Sequence, residues 1–219
     1  MKLDLCVFDM DGLLIDSEKG MWRTSQKKAI KIMGKEYDEE FFRSMMGCKY
    51  TLGCEKLIEH YGLDFDPVYF YKLVFDFNEE QIKNGIIPLM PGATELLEYL
   101  KKNNIKRTIA TSTIENVATR ILHKIGLDYY FDVITFGNEV ELSKPAPDIY
   151  IKAISKFNCK PENALVFEDA HTGAQAALSA NIPLILVPDV APITDEDINK
   201  SFAVIKSLDK AIEIIENIK

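Results

Sequence analysis

Apolar and polar positions fall into two regimes along the chain. Leu3 to Phe8 is a short apolar run that stops at Asp9, the pattern of a strand buried on both faces. Gly12 comes next, in a turn. From Asp16 to about Gly85 the spacing is helical, with breaks at Gly34, at Gly47 and from Gly62 to Pro67. After Pro88 strand and helix alternate. Pro91-Gly92 opens a helix from Ala93 to about Asn103, Lys106 to Ala110 reads as a strand, Ile114 to Ile125 as a helix and Phe131 to Phe136 as a strand. Pro147-Asp148 starts the next helix, where a first-turn proline loses no hydrogen bond. Ala164 to Phe167 is a strand, Gly173 to Ala180 a helix, Leu184 to Val187 and Phe202 to Ile205 are strands, and Leu208 to Ile218 is a closing helix.

Short apolar strands alternating with helices imply parallel pairing through right-handed crossovers. The expected fold class is therefore α/β, a parallel sheet core with helices on both faces and an inserted α-helical bundle. The first strand cannot bury two apolar faces alone, so residues 1–15 join 86–219 in the core domain, and 16–85 form the insert. Twelve aromatics crowd that insert, among them Trp22, Phe41, Phe42, Tyr50, Tyr61, Tyr69, Phe70, Tyr71, Phe75 and Phe77, and most are expected to fill the bundle core.

Composition narrows the partners. The 219 residues carry 26 basic and 34 acidic side chains, a formal charge of −8, with no basic stripe. A nucleic-acid polymer is not expected as a partner, whereas a small anion remains compatible because a local field can oppose the global sign. Cys6, Cys48, Cys54 and Cys159 show neither a C-x-x-C pair nor zinc spacing, which suggests free thiols in a reducing cytoplasm. No signal-peptide pattern opens the chain, and no run nears the ~18 apolar residues of a membrane span. No long apolar seam is present, so a monomer without membrane attachment is the expectation.

Candidate chemistry sits at the strand ends, where open α/β sheets bind ligands. Asp9 and Asp11 follow the first strand, Thr111 and Ser112 the second, Lys144 the loop after the third, and Glu168 and Asp169 the fourth. Asp9 and Asp11, two apart, can reach one pocket, where they repel unless a cation intervenes. Asp169 adds a third carboxylate. Oxygen ligands with no Cys or His nearby favour a hard cation, and Mg²⁺ fits best because it shares its shell with water and phosphate. Lys144 supplies a point charge for phosphate oxygens. Thr111 and Ser112, with backbone N–H groups at a helix start, make an anion cradle. Each feature alone has a bland explanation as a turn, an N-cap or a solvated loop. Their order at successive strand ends points to phosphoryl transfer.

On Phe8-Asp9-Met10-Asp11-Gly12-Leu13-Leu14-Ile15-Asp16-Ser17-Glu18, Met90-Pro91-Gly92, Ala110-Thr111-Ser112, Ser143-Lys144-Pro145-Ala146-Pro147-Asp148 and Phe167-Glu168-Asp169, the chain resembles the haloacid dehalogenase superfamily, in its phosphatase and phosphoglucomutase-like branch. The resemblance covers nearly the whole chain and is weakest in the insert and after Pro188. It implies a Rossmann-like core with a helical cap that closes over it, and hydrolysis of a small phosphorylated metabolite through an aspartyl-phosphate. Asp9 would attack phosphorus, and Asp11 would protonate the leaving oxygen and then accept a proton from water. The Asp9 carboxylate, the Asp11 carbonyl and Asp169 would hold Mg²⁺, with Glu168 in support through water. Thr111, Lys144 and the Ser112 backbone would bind phosphoryl oxygens, and Gly12 would permit the turn against them.

Three competing readings are weaker. A phosphosugar mutase of this branch would carry a histidine where Met21 stands and an arginine just after Cys48-Lys49-Tyr50. Carbon dehalogenation would leave Asp11, Glu168 and Asp169 unexplained. A non-catalytic binding protein would have lost Asp9, Asp11 or Lys144. In the insert, Lys49 is the candidate for touching substrate. His171 is expected to have a structural or helix-start role, and Thr194 to Asp197 to be a solvated helix start.

Overall fold

The computed structural model describes residues 2–45, 48 and 50–218. In chain order, β1 (Leu5–Phe8) leads through a π-helical turn (Ser17–Trp22) to α1 (Arg23–Ile32), α2 (Glu39–Ser44), α3 (Tyr50–Tyr61) and α4 (Pro67–Asn84). Then come α5 (Ala93–Lys102), β2 (Lys106–Ala110), α6 (Glu115–Ile125), β3 (Ile134–Thr135), α7 (Asp148–Ser155), β4 (Ala164–Glu168) and α8 (His171–Ser179). The chain closes with β5 (Leu184–Leu186), α9 (Asp195–Lys200), β6 (Ala203–Val204) and α10 (Ala211–Ile218). Two compact units result, Met1–Ser17 with Ile87–Lys219, and Glu18–Ile86.

The first unit is built on a six-stranded parallel sheet in the order β3-β2-β1-β4-β5-β6. Parallel strands covered on both faces need continuous apolar sequence, and all four residues of β1 are buried. Register fixes the level at which the strands end. Phe8 stands opposite Ile109 on one side and Phe167 on the other. The residues after β1 therefore emerge level with the ends of β2 and β4. One face packs Leu5, Val7, Val166 and Leu184 against Tyr150 and Ala153 of α7 and Ala174 and Ala177 of α8. On β1 and β4, Phe8 and Phe167 stack with ring centroids 4.7 Å apart.

Several element bounds differ from the sequence reading. The strand expected over 131–136 reduces to Ile134–Thr135, preceded by a 3₁₀ turn at Asp128–Tyr130. β3 is an edge strand, and its neighbour, β2, ends at Ala110, so the ladder has two rungs. Helix α8 starts at His171, before Gly173, because Ala170 is extended and serves as its N-cap residue. Leu208–Lys210 is a separate 3₁₀ turn before α10.

The second unit, Glu18–Ile86, has its own core of Ala29, Ile30, Phe42, Leu57, Phe65, Phe70 and Val74. Asp38 and Asp66 cap α2 and α4, each carboxylate accepting two backbone N–H bonds. Of the twelve aromatics, Phe42, Phe65 and Phe70 are buried and Tyr37, Phe41, Tyr61 and Tyr71 pack against that core. Trp22, Tyr50, Tyr69 and Phe75 are exposed. The chain leaves and re-enters the first unit through paired backbone: the Asp16 N–H donates to the Pro88 carbonyl at 2.8 Å and the Met90 N–H to the Leu14 carbonyl at 3.0 Å.

Candidate active site

The ends of β1, β2 and β4 and the loop before α7 converge on one buried polar cluster. Asp9 follows β1, its N–H donating to the Phe167 carbonyl at 3.1 Å. Lys144 reaches in from the loop and spends its three N–H donors on Asp9 Oδ1 at 2.5 Å, Glu168 Oε1 at 2.7 Å and the Ala110 carbonyl at 3.2 Å. Only 7% of the Lys144 side chain is exposed. One oxygen each of Asp9, Glu168 and Asp169 lies within 4.8 Å of the others.

Electrostatics favour a cation there. Burial first, then Glu168 and Asp11, push the Asp9 carboxyl up to about 7 against the pull of Lys144. Burial, then Glu168 and Asp9, push Asp169 up to about 9. Burial also works against the Lys144 ammonium, but Asp9 and Glu168 outweigh it and hold the group well above its ordinary value. One ammonium among three crowded carboxylates leaves the cluster short of positive charge. The donor set is all oxygen, which suits Mg²⁺.

Asp11 lies outside this carboxylate trio. Its Oδ2 accepts from the Thr113 hydroxyl at 2.7 Å and stands 3.5 Å from the Thr111 hydroxyl. Thr111 is fully buried, and its oxygen accepts the Thr113 N–H at 3.0 Å. Ser112, between them, is exposed. Thr113 escaped the sequence reading, although Thr111-Ser112-Thr113 places hydroxyls two apart, on one side of an extended segment. Gly12 has φ +80°. A Cβ there would overlap the Asp169 carboxylate, so the turn needs glycine for both conformation and space.

Glu168 is more fully engaged than its strand-end position suggests. Oε1 accepts from Lys144 and from the Tyr150 hydroxyl at 2.5 Å, and Oε2 accepts from the N–H groups of Asp169 at 3.0 Å and Ala170 at 3.4 Å. Tyr150 was not anticipated. Its signal was a lone hydroxyl on the apolar face of α7, which must find a partner when buried.

His171 has the helix-start role expected of it: it opens α8 and its Nδ1 lies 2.6 Å from Asp197 Oδ2. Asp197 itself is a correction. It is fully buried, not solvated, and also accepts from Gln175 at 2.6 Å and from the Thr194 N–H and hydroxyl. Against the cost of burial, these bonds hold its carboxyl well below the usual range. The helix-start pattern marked α9 correctly but could not show that α8 packs over the same carboxylate.

Lys49, the candidate in the insert, lies outside the described residues, as does Gly47. Within the helical unit a cavity of about 260 Å³ is lined by Trp22, Gln26, Arg43 and Tyr71 among others, with Arg23 ion-paired to Glu39 at 3.0 Å. Met21 is buried in the same unit, and its carbonyl accepts from Gln81 at 3.2 Å.

Comparison with known proteins bears on this arrangement. A family model described as haloacid dehalogenase-like hydrolase matches residues 6–187. A phosphorylated carbohydrates phosphatase of Thermotoga maritima is 34% identical over 84% of this chain and 84% of its own length. A Drosophila melanogaster protein described as a probable pseudouridine-5′-phosphatase is 34% identical over 86% of this chain and 83% of its own. The crystal structure of a Thermotoga maritima protein, described provisionally as a beta-phosphoglucomutase, superposes with a TM-score of 0.84 at 29% identity, covering all of both chains.

Proposed function

The chain belongs to the haloacid dehalogenase-like hydrolase family, and on that premise we propose that it is a Mg²⁺-dependent phosphatase of small phosphomonoesters. The single observation that carries the reading is the contact of the buried Asp9 carboxylate with Lys144 at 2.5 Å, beside Glu168 and Asp169. A sugar phosphate, glycerol phosphate or nucleoside monophosphate suits the site, in keeping with the names of its relatives.

Asp9 attacks phosphorus. The bond to the leaving oxygen breaks, and an aspartyl-phosphate forms. Asp11 gives its proton to the leaving oxygen, then takes one from the water that attacks the intermediate. Its bond from Thr113 holds the carboxyl in place for both transfers. Lys144, Thr111 and the Ser112 backbone bind phosphoryl oxygens. Asp9, Asp169 and the Asp11 carbonyl would hold the metal, with Glu168 behind them. Mg²⁺ bound there would neutralise carboxylate and phosphoryl charge. Four free cysteines accord with a reducing cytoplasm, and we take the working form to be a monomer.

Release of phosphate from p-nitrophenyl phosphate and a panel of metabolite phosphomonoesters tests the reading. Turnover is expected with Mg²⁺, none with EDTA, and none in Asp9→Asn. Activity in that variant, or indifference to the chelator, overturns it. The structural neighbour's description favours one competitor, a phosphosugar mutase. Against it, the position where that reaction's histidine would stand is Met21, buried in the helical unit. Incubation with a hexose 1-phosphate and a hexose 1,6-bisphosphate separates the two: isomerised sugar without free phosphate establishes the mutase.

A further inference from the structure

Tyr150 is fully buried in the first turn of α7. A phenylalanine ring would fill the same space without a hydroxyl to desolvate. The hydroxyl instead donates to Glu168 Oε1 at 2.5 Å, the oxygen that also receives Lys144. The Lys144 ammonium lies 4.9 Å from the Tyr150 ring centroid. The ammonium is thus shared between two carboxylates, Asp9 and Glu168, and the outcome of that competition fixes where its charge sits. A carboxylate oxygen that already accepts one strong hydrogen bond offers less to a second donor. Glu168 accepts four bonds, counting the backbone N–H groups of Asp169 and Ala170.

We propose that Tyr150 is a positioning residue for Lys144: by occupying Glu168 Oε1, its hydroxyl tips the ammonium toward Asp9 and the phosphoryl oxygens. Helix α7, which begins only a few residues after Lys144, thereby carries both the lysine loop and the group that aims it. The inference rests on the phosphatase reading for what Lys144 does, but the placement of Lys144 is measurable without turnover.

Tyr150→Phe removes the hydroxyl and keeps the ring. The expected result is a fall in kcat of about tenfold, the size of one lost charge-assisted hydrogen bond, with KM for p-nitrophenyl phosphate within about twofold, since an aim that matters in the transition state lowers kcat rather than binding. A variant merely loosened in its packing would lose thermal stability and keep kcat. Lys144 should also react more slowly with an amine-acylating reagent in Tyr150→Phe, by several fold, because Glu168 then holds the ammonium more tightly; the rate is read by peptide mass spectrometry against the exposed Lys106. An unchanged kcat or an unchanged Lys144 labelling rate overturns the proposal. If the unsubstituted protein releases no phosphate from any phosphomonoester, the phosphatase reading falls and the labelling rate still decides the role of Tyr150. Should the variant not fold, the Tyr150 hydroxyl proton in the unsubstituted protein decides, by NMR with labelled tyrosine. A downfield, slowly exchanging proton is expected, and one in fast exchange with water defeats the inference.

Discussion

Asp11 differs from Asp9 in surroundings more than in distance along the chain. Asp9 sits beside an ammonium and two carboxylates, Asp11 beside two hydroxyls. The first environment suits a nucleophile held by positive charge, and the second a carboxyl that exchanges protons. Asp11→Asn is accordingly expected to slow phosphate release by roughly two to four orders of magnitude, the range of a general acid–base contribution. Steady-state kinetics at saturating Mg²⁺ check this. Gly173 makes a steric argument of the same kind. A Cβ at this position in α8 would overlap the Glu168 carboxylate, which four hydrogen bonds hold in place. Gly173→Ala should cost about 1–3 kcal/mol as an overpacked site, seen as a drop of several degrees in the thermal midpoint. It should also lower kcat, because Glu168 cannot move without Lys144. A variant with the original midpoint and rate would show that the carboxylate yields freely.

At the scale of elements, α8 and α9 are joined by one buried carboxylate. Asp197 of α9 takes bonds from His171 and Gln175 of α8 and from Thr194. Its folded pKa is depressed below the ordinary 3.8, so the folded state favours the ionised form. The stability this supplies is complete above about pH 4 and is lost as pH falls through the depressed value. Asp197→Asn should therefore lower the thermal midpoint by several degrees at pH 7, the cost of breaking a buried charged network being about 1–3 kcal/mol. The difference from the unsubstituted protein should shrink as pH drops below 4, as melting curves from pH 7 to 3 will show. A constant difference across that range would mean the carboxylate's charge plays no part. Most elements were legible from periodicity alone because apolar strands and amphipathic helices leave distinct patterns. The short β3 was not, since its length is set by where β2 stops pairing and not by its own residues.

At the scale of the molecule, the helical unit enters and leaves through backbone that is already paired. Ile15 bridges to Leu89, and the Asp16 N–H donates to the Pro88 carbonyl. Replacing residues 18–86 by a short Gly-Ser linker therefore asks the chain to join two adjacent backbone segments, a small entropic demand. The sheet unit, with its own core, is expected to remain folded and to unfold cooperatively in circular dichroism. Aggregation or loss of the cooperative transition would show that the sheet unit depends on the insert for its stability.

Two properties were determined by the sequence itself: the α/β architecture and the approximate place of most candidate site residues. The polar residues that break the apolar runs mark the strand ends: Asp9 and Thr111 stand just past β1 and β2, Glu168-Asp169 at the end of β4, and Lys144 in the loop after β3. Only the tertiary structure decided which groups meet. Parallel register brings the ends of β1, β2 and β4 level. The packing of α7 against β1, β2 and α8 delivers the Tyr150 hydroxyl to Glu168, and that of α8 beside α9 buries Asp197. Those contacts join residues far apart in the chain. Whether a tyrosine or an aspartate is solvated or engaged depends on a neighbour that no local pattern encodes.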